Sequence, residues 1–219
     1  AIVAVSSCKG GVGKSTVAAL LARTLAHEGL HVGLLDADLY GPSFPTLFNI
    51  HKPDIAMIDN KITPVIVDGM KVMSFGFLLG DSPAVMRGPM VSGYVQQLLM
   101  QTDWGHLDYL IIDMPPGTGD IQLTITQSAK LDGTVIVTTP QALSLVDVAK
   151  GILMFETVEV PVLGVVENMS YFVCDQCDKK HYIFGSSAHT LKERFGLPTL
   201  AEIPVMPGIS NTAAVKAEF

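Results

Sequence analysis

A glycine-rich segment between an apolar run and a helical pattern constrains the fold of this chain more than any other feature. The apolar run at residues 2–5 is soon followed by Cys-Lys-Gly-Gly-Val-Gly-Lys-Ser-Thr at residues 8–16. From Lys14 to His27 apolar residues recur at helical spacing, and Gly29 follows at a typical C′ position. Glycines let backbone N–H groups turn inward around phosphate oxygens, and a helix N-terminus adds partial positive charge. The sequence therefore predicts a phosphate-binding loop between a first strand and a first helix.

Apolar runs of strand length recur further along the chain, at residues 31–35, 109–112, 134–138 and 162–166. Such runs are typical of strands buried on both faces of a sheet. Because most of them are followed by helical patterns, they predict a doubly wound, mainly parallel α/β sheet of the P-loop NTPase type, with helices on both faces. Residues 61–77 differ, since they are typical of two short strands joined by Asp68-Gly69, a small inserted β-hairpin. No linker or repeat interrupts residues 1–219, which predicts a single domain.

Composition and charge exclude several classes of function. Charged residues make up 16% of the chain, against roughly 25% in an average soluble domain, so much of the chain is expected to be buried. The net charge of -7 and the lack of extended Lys/Arg clusters argue against a nucleic-acid partner. The longest uncharged stretch, residues 88–102, is too short and too polar to span a bilayer. With no secretory leader visible, we expect a cytoplasmic protein with no membrane partner.

The glycine-rich segment has the chemistry of a nucleotide site. Lys14 adds a full positive charge, and the Ser15 hydroxyl is placed to bind Mg²⁺. The strict Walker A pattern has glycine where this chain has Cys8, which we interpret as a small buried residue and not a ligand. The segment matches in full the deviant pattern K-G-G-x-G-K-[ST], with an extra lysine at Lys9; a glycine-rich turn that merely precedes a helix is the alternative. The predicted phosphate-binding residues are Gly10, Gly11, Val12, Gly13, Lys14, Ser15 and Thr16.

Carboxylates stand where two of the predicted strands end. Asp36 and Asp38 follow the run at 31–35, and Asp113 follows the run at 109–112. In open α/β sheets ligands bind at the carboxyl ends of the strands, beside the phosphate loop. Asp113 is therefore predicted to be the Walker B carboxylate, which holds Mg²⁺ through its water shell. Asp36 has two interpretations, a place in the outer Mg²⁺ shell or merely a hydrogen bond to the loop.

These motifs together resemble the deviant Walker A ATPases, the group that contains the nitrogenase iron protein, MinD and ParA-type partition proteins. The resemblance implies that Lys9 reaches the partner's phosphates across a nucleotide-sandwich dimer, as an arginine finger does; a solvated surface lysine is the alternative. It also implies that Asp38 orients or deprotonates the attacking water. The loop after Asp113, with Pro116 and Gly117, resembles a switch II segment that ATP orders and hydrolysis releases.

The same resemblance assigns residues to the nucleotide base. Asn168, at the end of a late strand, would hydrogen-bond the adenine edge, and Pro204 would help to wall the base pocket. An asparagine at a strand end also commonly caps a turn. The predicted catalytic residues are then Lys9, Lys14 and Asp38, and the predicted Mg²⁺ residues are Ser15, Asp36 and Asp113.

A C-x-x-C pair at Cys174 and Cys177 is the second main motif. Three cysteines in a chain of this size do not make a disulfide framework, and the spacing favours metal-binding or redox chemistry. Zinc and iron–sulfur clusters normally take four protein ligands, and two copies of the chain would supply four cysteines, enough for a bridging [4Fe-4S] cluster in a homodimer. The alternatives are zinc in that shared site, a single-chain zinc site with His181 and His189, and a structural or free pair.

Longer segments narrow the resemblance to the Mrp/ApbC-type iron–sulfur cluster carriers, over nearly the whole chain. They are residues 36–43, 87–90 and 115–120, and residues 167–177 with 183–185 after them, around the predicted metal-binding loop at about 169–185. The resemblance implies a carrier that binds Mg-ATP, hydrolyses ATP slowly and transfers a cluster from a homodimer interface to iron–sulfur apoproteins.

Two other functions stay open on this scaffold. A MinD- or ParA-like spatial regulator would need a basic amphipathic helix or a basic stripe, which the sequence lacks. A kinase or ligase similar to dethiobiotin synthetase would give no reason for the cysteine pair. Arg87 has no chemical role that we derive, and four histidines are interpreted as isolated surface residues: His27, His31, His51 and His106.

Overall fold

The computed structural model describes residues 1–39, 41–50, 53–79, 88–117, 119–140, 143–185 and 193–206. His51, Arg87 and His189 lie outside the described residues. The strands and helices in chain order are β1 (Ile2–Ser6), α1 (Lys14–His27), β2 (Val32–Asp36), α2 (Phe44–Leu47), β3 (Met57–Ile58), β4 (Lys61–Ile62), β5 (Val65–Val67), β6 (Met70–Ser74), α3 (Phe75–Leu79), α4 (Gly88–Gln101), β7 (Tyr109–Asp113), α5 (Asp120–Ala129), β8 (Gly133–Thr138), α6 (Leu143–Thr157), β9 (Val162–Glu167), β10 (Phe172–Val173), β11 (Lys180–His181) and β12 (Thr199–Glu202).

The central sheet confirms the predicted doubly wound, mainly parallel fold. Its eight strands lie in the order β12-β9-β8-β1-β7-β2-β6-β5. Neighbouring strands of this sheet pair in parallel except β5, which runs antiparallel to β6 at one edge. Because β1, β2 and β7 are parallel neighbours, their carboxyl ends meet at one edge of the sheet, as α/β ligand sites require.

Each predicted apolar run corresponds to a strand, and four of the strands continue one residue further than predicted. Three of these four end on carboxylates, Asp36 in β2, Asp113 in β7 and Glu167 in β9. All three side chains are buried. Sheet hydrogen bonding therefore carries acidic side chains into the interior, where a partner or a raised pKa is required.

Side chains alternate between two apolar layers, one on each face of the sheet. On β1, Val3 and Val5 pack in the layer that contains Ala18 of α1, whereas Ala4 packs in the layer that contains Leu98 of α4. This alternation follows from the two-residue period of a strand. It confirms helices on both faces.

Glycine residues bound the first helix at both ends. Gly13 is the N-cap with a φ of 83°, and Gly29 follows the C-cap with a φ of 84°. The Gly29 N–H donates to the Ala26 carbonyl, and the Leu30 N–H donates to the Leu25 carbonyl. Left-handed backbone of this kind favours glycine because it lacks a Cβ. The predicted helix bounds are confirmed.

The predicted hairpin is present and belongs to the main sheet. Strands β5 and β6 are antiparallel and are joined by Asp68-Gly69, whose φ values are 49° and 79°. Two positive φ values are typical of the type I′ turns that connect hairpins. Strand β6 also pairs in parallel with β2, so the hairpin extends the sheet and closes it with an antiparallel edge.

A small ribbon made of β10 and β11 stands outside the central sheet. The two strands are antiparallel and pair Phe172 with His181 and Val173 with Lys180. The cysteine pair lies in the turn between them. In the part of the chain that the structure describes, no helix combines the length and apolarity needed to cross a bilayer.

Candidate functional site

The carboxyl edge of the sheet opens into a cavity of about 420 Å³. Its volume lies within the usual range for small-molecule sites. The residues that line it come from the phosphate loop, the loop after β2, helix α2 and the loop after β7: Ser7, Gly10, Gly11, Gly13, Lys14, Ser15, Thr16, Asp38, Ser43, Thr46, Leu47 and Pro116. The structure thus brings most of the predicted phosphate-binding residues together in one cavity.

The glycines of the loop leave room for an anion. A Cβ at Gly10 or Gly11 would meet no atom within 4 Å, and Gly11 has a φ of 79°. Open space and left-handed backbone are features of the nests that bind anions through backbone N–H groups. At Gly13 a Cβ would collide with the amide of Asn168. Space and backbone angle both require glycine at that position.

Lys14 forms a buried ion pair with Asp113, the predicted Walker B carboxylate. Its Nζ contacts Asp113 Oδ1, and the side chains are 7% and 0% exposed. Burial raises the pKa of Asp113, while the Lys14 ammonium opposes that shift. The other oxygen, Asp113 Oδ2, is buried and has no hydrogen-bond partner among the described residues, so this oxygen can still bind a cation or accept from a water.

These contacts fit a divalent cation that binds with the nucleotide. The Ser15 hydroxyl accepts a hydrogen bond from Lys14 Nζ at 3.4 Å, and Ser15 also opposes the raised pKa of Asp113. A hydroxyl, a carboxylate with a free oxygen and phosphate oxygens are the ligand types that Mg²⁺ prefers. Ser15 and Asp113 would hold Mg²⁺, directly or through water, and Lys14 would turn from Asp113 to the phosphates.

Both carboxylate oxygens of Asp36 accept hydrogen bonds, from the loop that follows β2 and from Ser74 of β6. Its Oδ1 accepts from the Asp38 N–H at 3.1 Å, and its Oδ2 accepts from the Ser43 N–H at 3.0 Å, the Phe44 N–H at 3.3 Å and the Ser74 hydroxyl at 2.9 Å. Complete burial, followed by repulsion from Asp113, raises the pKa of Asp36 to about 7. This geometry favours the loop-anchoring interpretation; a place in the outer Mg²⁺ shell stays a prediction.

Asp38 lies on the cavity wall, as the predicted role requires. Its side chain is half-buried, and Oδ1 accepts a hydrogen bond from the Gly41 N–H at 3.2 Å. The bonds from Asp36 to the backbone of Asp38, Ser43 and Phe44 hold this loop against the sheet. Asp38 is thus positioned by the buried carboxylate two residues before it.

The loop after β7 is attached to the phosphate loop through its backbone. The Gly117 N–H donates to the Ser7 carbonyl at 3.0 Å, and Gly117 has a φ of 96°. Helix α5 holds the same loop from behind, since Gln122 Nε2 donates to the Pro115 carbonyl at 2.5 Å. For the Gly117 N–H to reach a γ-phosphate, as predicted for a switch segment, its bond to Ser7 must break.

Asn168 connects the end of β9 to the phosphate loop. Its Nδ2 donates to the Val12 carbonyl at 2.9 Å, and its backbone N–H donates to the Thr138 carbonyl at 2.8 Å. Pro204 follows Ile203, whose backbone bonds to Glu167 and Ser170 flank this same turn. Asn168 and Pro204 therefore lie near each other at the edge of the site, and their contact with adenine stays a prediction.

Lys9 projects from the loop on the outside of the cavity. Its side chain is exposed, and it does not belong to the residues that line the cavity of its own chain. This position suits the predicted action on a partner's phosphates, which stays a prediction. Cys8 is half-buried, not fully buried as expected, and its Sγ lies against Gly151 of α6.

The cysteine pair lies in a tight turn whose backbone points at sulfur. The Cys174 N–H donates to the Lys179 carbonyl at 3.0 Å, and the Asp178 N–H donates to the Cys174 carbonyl at 2.9 Å. Hydrogen bonds from the N–H groups of Gln176 and Cys177 lower the pKa of the Cys174 thiol. Donors aimed at sulfur favour the thiolate, which is the form that binds metals. Cys174 is half-buried and Cys177 is exposed, and both are free thiols.

Residues 1–218 match the sequence model of a protein family that is described as ParA, NUBPL iron-transfer P-loop NTPase. The chain belongs to this family. Its sequence motifs, its sheet and its phosphate loop agree with that assignment, and the resemblance to iron–sulfur cluster carriers is confirmed at the level of the family.

Named relatives of the family support the same assignment. The chain is 52% identical over 216 residues to an iron–sulfur cluster carrier protein of Pseudomonas fragi, covering 97% of this chain and 75% of that protein. It is 55% identical over 212 residues to the chloroplast Fe-S cluster assembly factor HCF101 of Arabidopsis thaliana, covering 95% of this chain and 39% of that factor. The chain therefore spans less than half the length of some of the curated relatives that it matches.

Solved structures confirm the fold. An ADP complex of a nucleotide-binding protein from Archaeoglobus fulgidus, in which cobalt was found, superposes with a TM-score of 0.86 at 44% identity, covering 98% of this chain and 85% of that one. The cell division ATPase MinD of Pyrococcus furiosus superposes with a TM-score of 0.71 at 22% identity, covering 96% of this chain and 86% of that one, and shows the shared fold alone.

The structure also shows which possible metal ligands lie near the cysteine pair. In the described residues, neither cysteine belongs to a group of three ligand atoms from His, Cys, Asp or Glu within 4.8 Å of one another. His181, on β11, does not form such a group with the pair in this structure. The single-chain zinc site with His181 and His189 stays a prediction, and His189 lies outside the described residues.

Sequence reasoning missed some residues at the site. Ser43 and Thr46 line the cavity from the loop and helix after β2, and buried Gln122 holds the loop after β7. In the sequence, only their closeness to the predicted motifs could have pointed to these residues.

His31 and His106 are exposed as predicted, but the expectation that they are isolated is wrong, because their rings lie 5.6 Å apart.

Proposed function

We propose that this chain binds Mg-ATP in the cavity at the carboxyl edge of the sheet and hydrolyses it slowly to ADP and phosphate. The observation that carries the whole proposal is the presence on one chain of this phosphate cavity and a cysteine pair in a surface turn. The ion pair of Lys14 with Asp113 supports an ATPase, because one charge can turn to phosphate while the other turns to Mg²⁺. A slow rate suits a protein that acts as a switch.

The cysteine pair is proposed to hold half of an iron–sulfur cluster. The turn between β10 and β11 offers two thiols, and a [4Fe-4S] cluster normally takes four. A homodimer with its two-fold axis between the two cysteine turns would supply Cys174 and Cys177 from each copy. Such a cluster would lie at the surface of both chains, so it could pass to iron–sulfur apoproteins. Zinc could take its place in protein made without iron–sulfur machinery.

Hydrolysis would use groups that this chain already positions. Water attacks the γ-phosphorus, the bond to the bridging oxygen of ADP breaks, and Asp38 accepts the proton of the water or orients it. Lys9 of the opposite copy would neutralise charge on the γ-phosphoryl oxygens, and Mg²⁺ held near Ser15 and Asp113 would supply further positive charge. The Gly117 N–H would leave the Ser7 carbonyl and donate to the γ-phosphate, so ATP and ADP would favour different loop positions.

A short covalent path joins the nucleotide edge to the cysteines. Asn168 bonds to the phosphate loop, and Cys174 follows six positions later in the chain. The ribbon is also attached to the sheet, because the Tyr182 hydroxyl donates to Glu202 of β12 at 3.0 Å. A movement of Asn168 when ATP is exchanged for ADP would therefore shift the β10–β11 ribbon. This path supports regulation of cluster binding by ATP, in a reducing compartment such as the cytoplasm.

Anaerobic reconstitution tests the proposed function directly. We expect about four iron and four sulfide per two chains, a dimer in analytical ultracentrifugation, and a rate of transfer to an apoprotein that differs between Mg-ATP and Mg-ADP. A chain that stays monomeric with ATP and iron supplied would contradict the proposal. Equal transfer rates with both nucleotides would remove the switch and keep the carrier.

Lys9→Ala and Asp38→Ala are expected to keep ATP binding and lose hydrolysis. Lys9 lies outside its own cavity, and loss of such a cation in trans is expected to slow phosphate release by roughly 10³-fold or more, as arginine fingers do. Isothermal titration and a phosphate-release assay separate the two effects. Lys61→Ala is the matched control, because this exposed lysine pairs with Asp103 and lies away from the cavity. An equal loss of ATP affinity in both variants would show that the roles are wrongly divided.

A further inference from the structure

We propose that His31, His106 and Asp108 form a second metal site, for one divalent ion of the zinc class, at the end of the sheet opposite the phosphate loop. One ligand atom from each residue lies within 4.8 Å of the other two. His31 and Asp108 directly precede β2 and β7, whereas the phosphate loop follows β1, and these strands are parallel. The site is independent of the proposed function.

The backbone holds two of the three residues in a fixed relation. The Asp108 N–H donates to the His31 carbonyl at 2.8 Å, and the His31 N–H donates back to Asp108 Oδ2 at 2.7 Å. The next residues, Val32 and Tyr109, are register partners in the sheet. His31 and Asp108 therefore directly precede strand residues whose positions the sheet fixes, and a preorganised site needs ligands on rigid elements.

The carboxylate also orients the first imidazole. His31 Nδ1 lies 3.1 Å from Asp108 Oδ2. When a carboxylate accepts the Nδ1 hydrogen, the neutral ring presents its Nε2 lone pair outward, the arrangement found around many metal-bound histidines. Asp108 then either supports His31 from behind or contributes its other oxygen to the ion.

The second imidazole stands at a separation suited to sharing one ion. The rings of His31 and His106 are 5.6 Å apart between centroids, at an angle of 85°. Two imidazoles bound tetrahedrally at roughly 2.0–2.1 Å per metal–nitrogen bond hold their centroids roughly 5 Å apart. A small side-chain rotation of His106 closes that difference, and Gly105, with a φ of 57°, precedes it in the loop.

The ligand set determines which ions the site would take. Two imidazoles and a carboxylate suit Zn²⁺, Co²⁺, Ni²⁺ and Cu²⁺, whereas Mg²⁺ and Ca²⁺ prefer oxygen ligands alone. His31 is 71% exposed, so water would complete the coordination and exchange would be fast. The site differs in chemistry from the thiol pair. Metal counted in purified protein would then include ions bound far from the cysteines.

Cobalt titration of a Cys174→Ala/Cys177→Ala protein, without nucleotide or Mg²⁺, tests the proposal. We expect one Co²⁺ per chain by visible absorption and equilibrium dialysis, and loss of that binding in His31→Ala and in His106→Ala made on the same background. Asp108→Asn should weaken Co²⁺ binding by roughly 10–100-fold, as loss of a supporting carboxylate does. His27→Ala is the matched control, since His27 is an exposed histidine at the end of α1.

Unfolding midpoints check that the variants keep the fold, and Zn²⁺ competition checks the ion class. Release of Co²⁺ by stoichiometric Zn²⁺ but not by excess Mg²⁺ supports the site. Two results would overturn it. One is the absence of saturable Co²⁺ binding in the cysteine-free protein, which would leave a hydrogen-bonded His–Asp pair only. The other is binding in His31→Ala equal to that in His27→Ala.

Discussion

Chains that carry Cys174→Ala and Cys177→Ala together are expected to load no iron–sulfur cluster and to bind ATP normally. In the proposed dimer these substitutions remove all four protein ligands, so neither iron nor sulfide should exceed background after anaerobic reconstitution. The ribbon lies outside the central sheet, and the two backbone hydrogen bonds of its turn, Cys174 N–H to Lys179 and Asp178 N–H to Cys174, do not use the sulfur atoms. ATP affinity should therefore change by no more than about twofold, as expected for separate sites.

Cys8→Ser is the matched control for the cysteine variant. Cys8 is the third cysteine of the chain, but it lies after β1 and packs against α6, away from the ribbon. The Cys8→Ser chain should load as much cluster as the parent chain. Equal loading by the double variant would contradict the proposed cluster site. The single variants give a further check, because Cys174 has the lowered thiol pKa and Cys177 is more exposed.

Lys14→Ala is expected to lower nucleotide affinity by roughly 10²-fold or more. Hydrogen bonds that involve a charged group contribute roughly 1.5–3 kcal/mol each, and an ammonium in a phosphate loop makes more than one. The same substitution leaves Asp113 buried without its partner. Breaking a buried ion pair on one side costs about 3–5 kcal/mol, so a loss of binding could be confused with a loss of folding.

A second variant separates these two effects. Lys14→Met with Asp113→Asn removes both buried charges and should recover much of the stability, measured by urea unfolding. Calorimetry with Mg²⁺-free ADP then reports the phosphate contact alone, because Asp113 acts on nucleotide through the cation. Asp113→Asn should bind Mg²⁺-free ADP as the parent does, whereas both Lys14 variants should not. Parental ADP affinity in the folded double variant would show that Lys14 does not bind phosphate.

Local patterns were enough to predict most of the fold. Each apolar run became a strand, and helix α1 has the predicted bounds because Gly13 and Gly29 mark its ends. The phosphate loop, Asp113 and the cysteine pair were chosen as site candidates for the same reason, and their roles stay predictions. In each case the choice depends on neighbours within a few positions of the chain, and such neighbours are visible in a sequence.

Contacts between distant segments were not predictable in this way. The sequence left Asp36 with two interpretations, and the structure gives it bonds to the loop at 38–44 and to Ser74 on β6. Gln122 was missed because its partner, the Pro115 carbonyl, is met only when α5 packs behind the loop. Asn168 was expected at a nucleotide base, and the structure adds a bond to the Val12 carbonyl.

The sequence by itself determined the chemical groups of this protein: a phosphate loop with two lysines, carboxylates at strand ends and a pair of thiols in a turn. Those depend on residue type and local spacing, which the chain carries directly. Only the tertiary structure decided that β6 joins the main sheet, that Lys14 and Asp113 pair in the interior, and that His31 meets His106 and Asp108. Such meetings depend on strand order and register, which arise when the whole chain buries its apolar surface together.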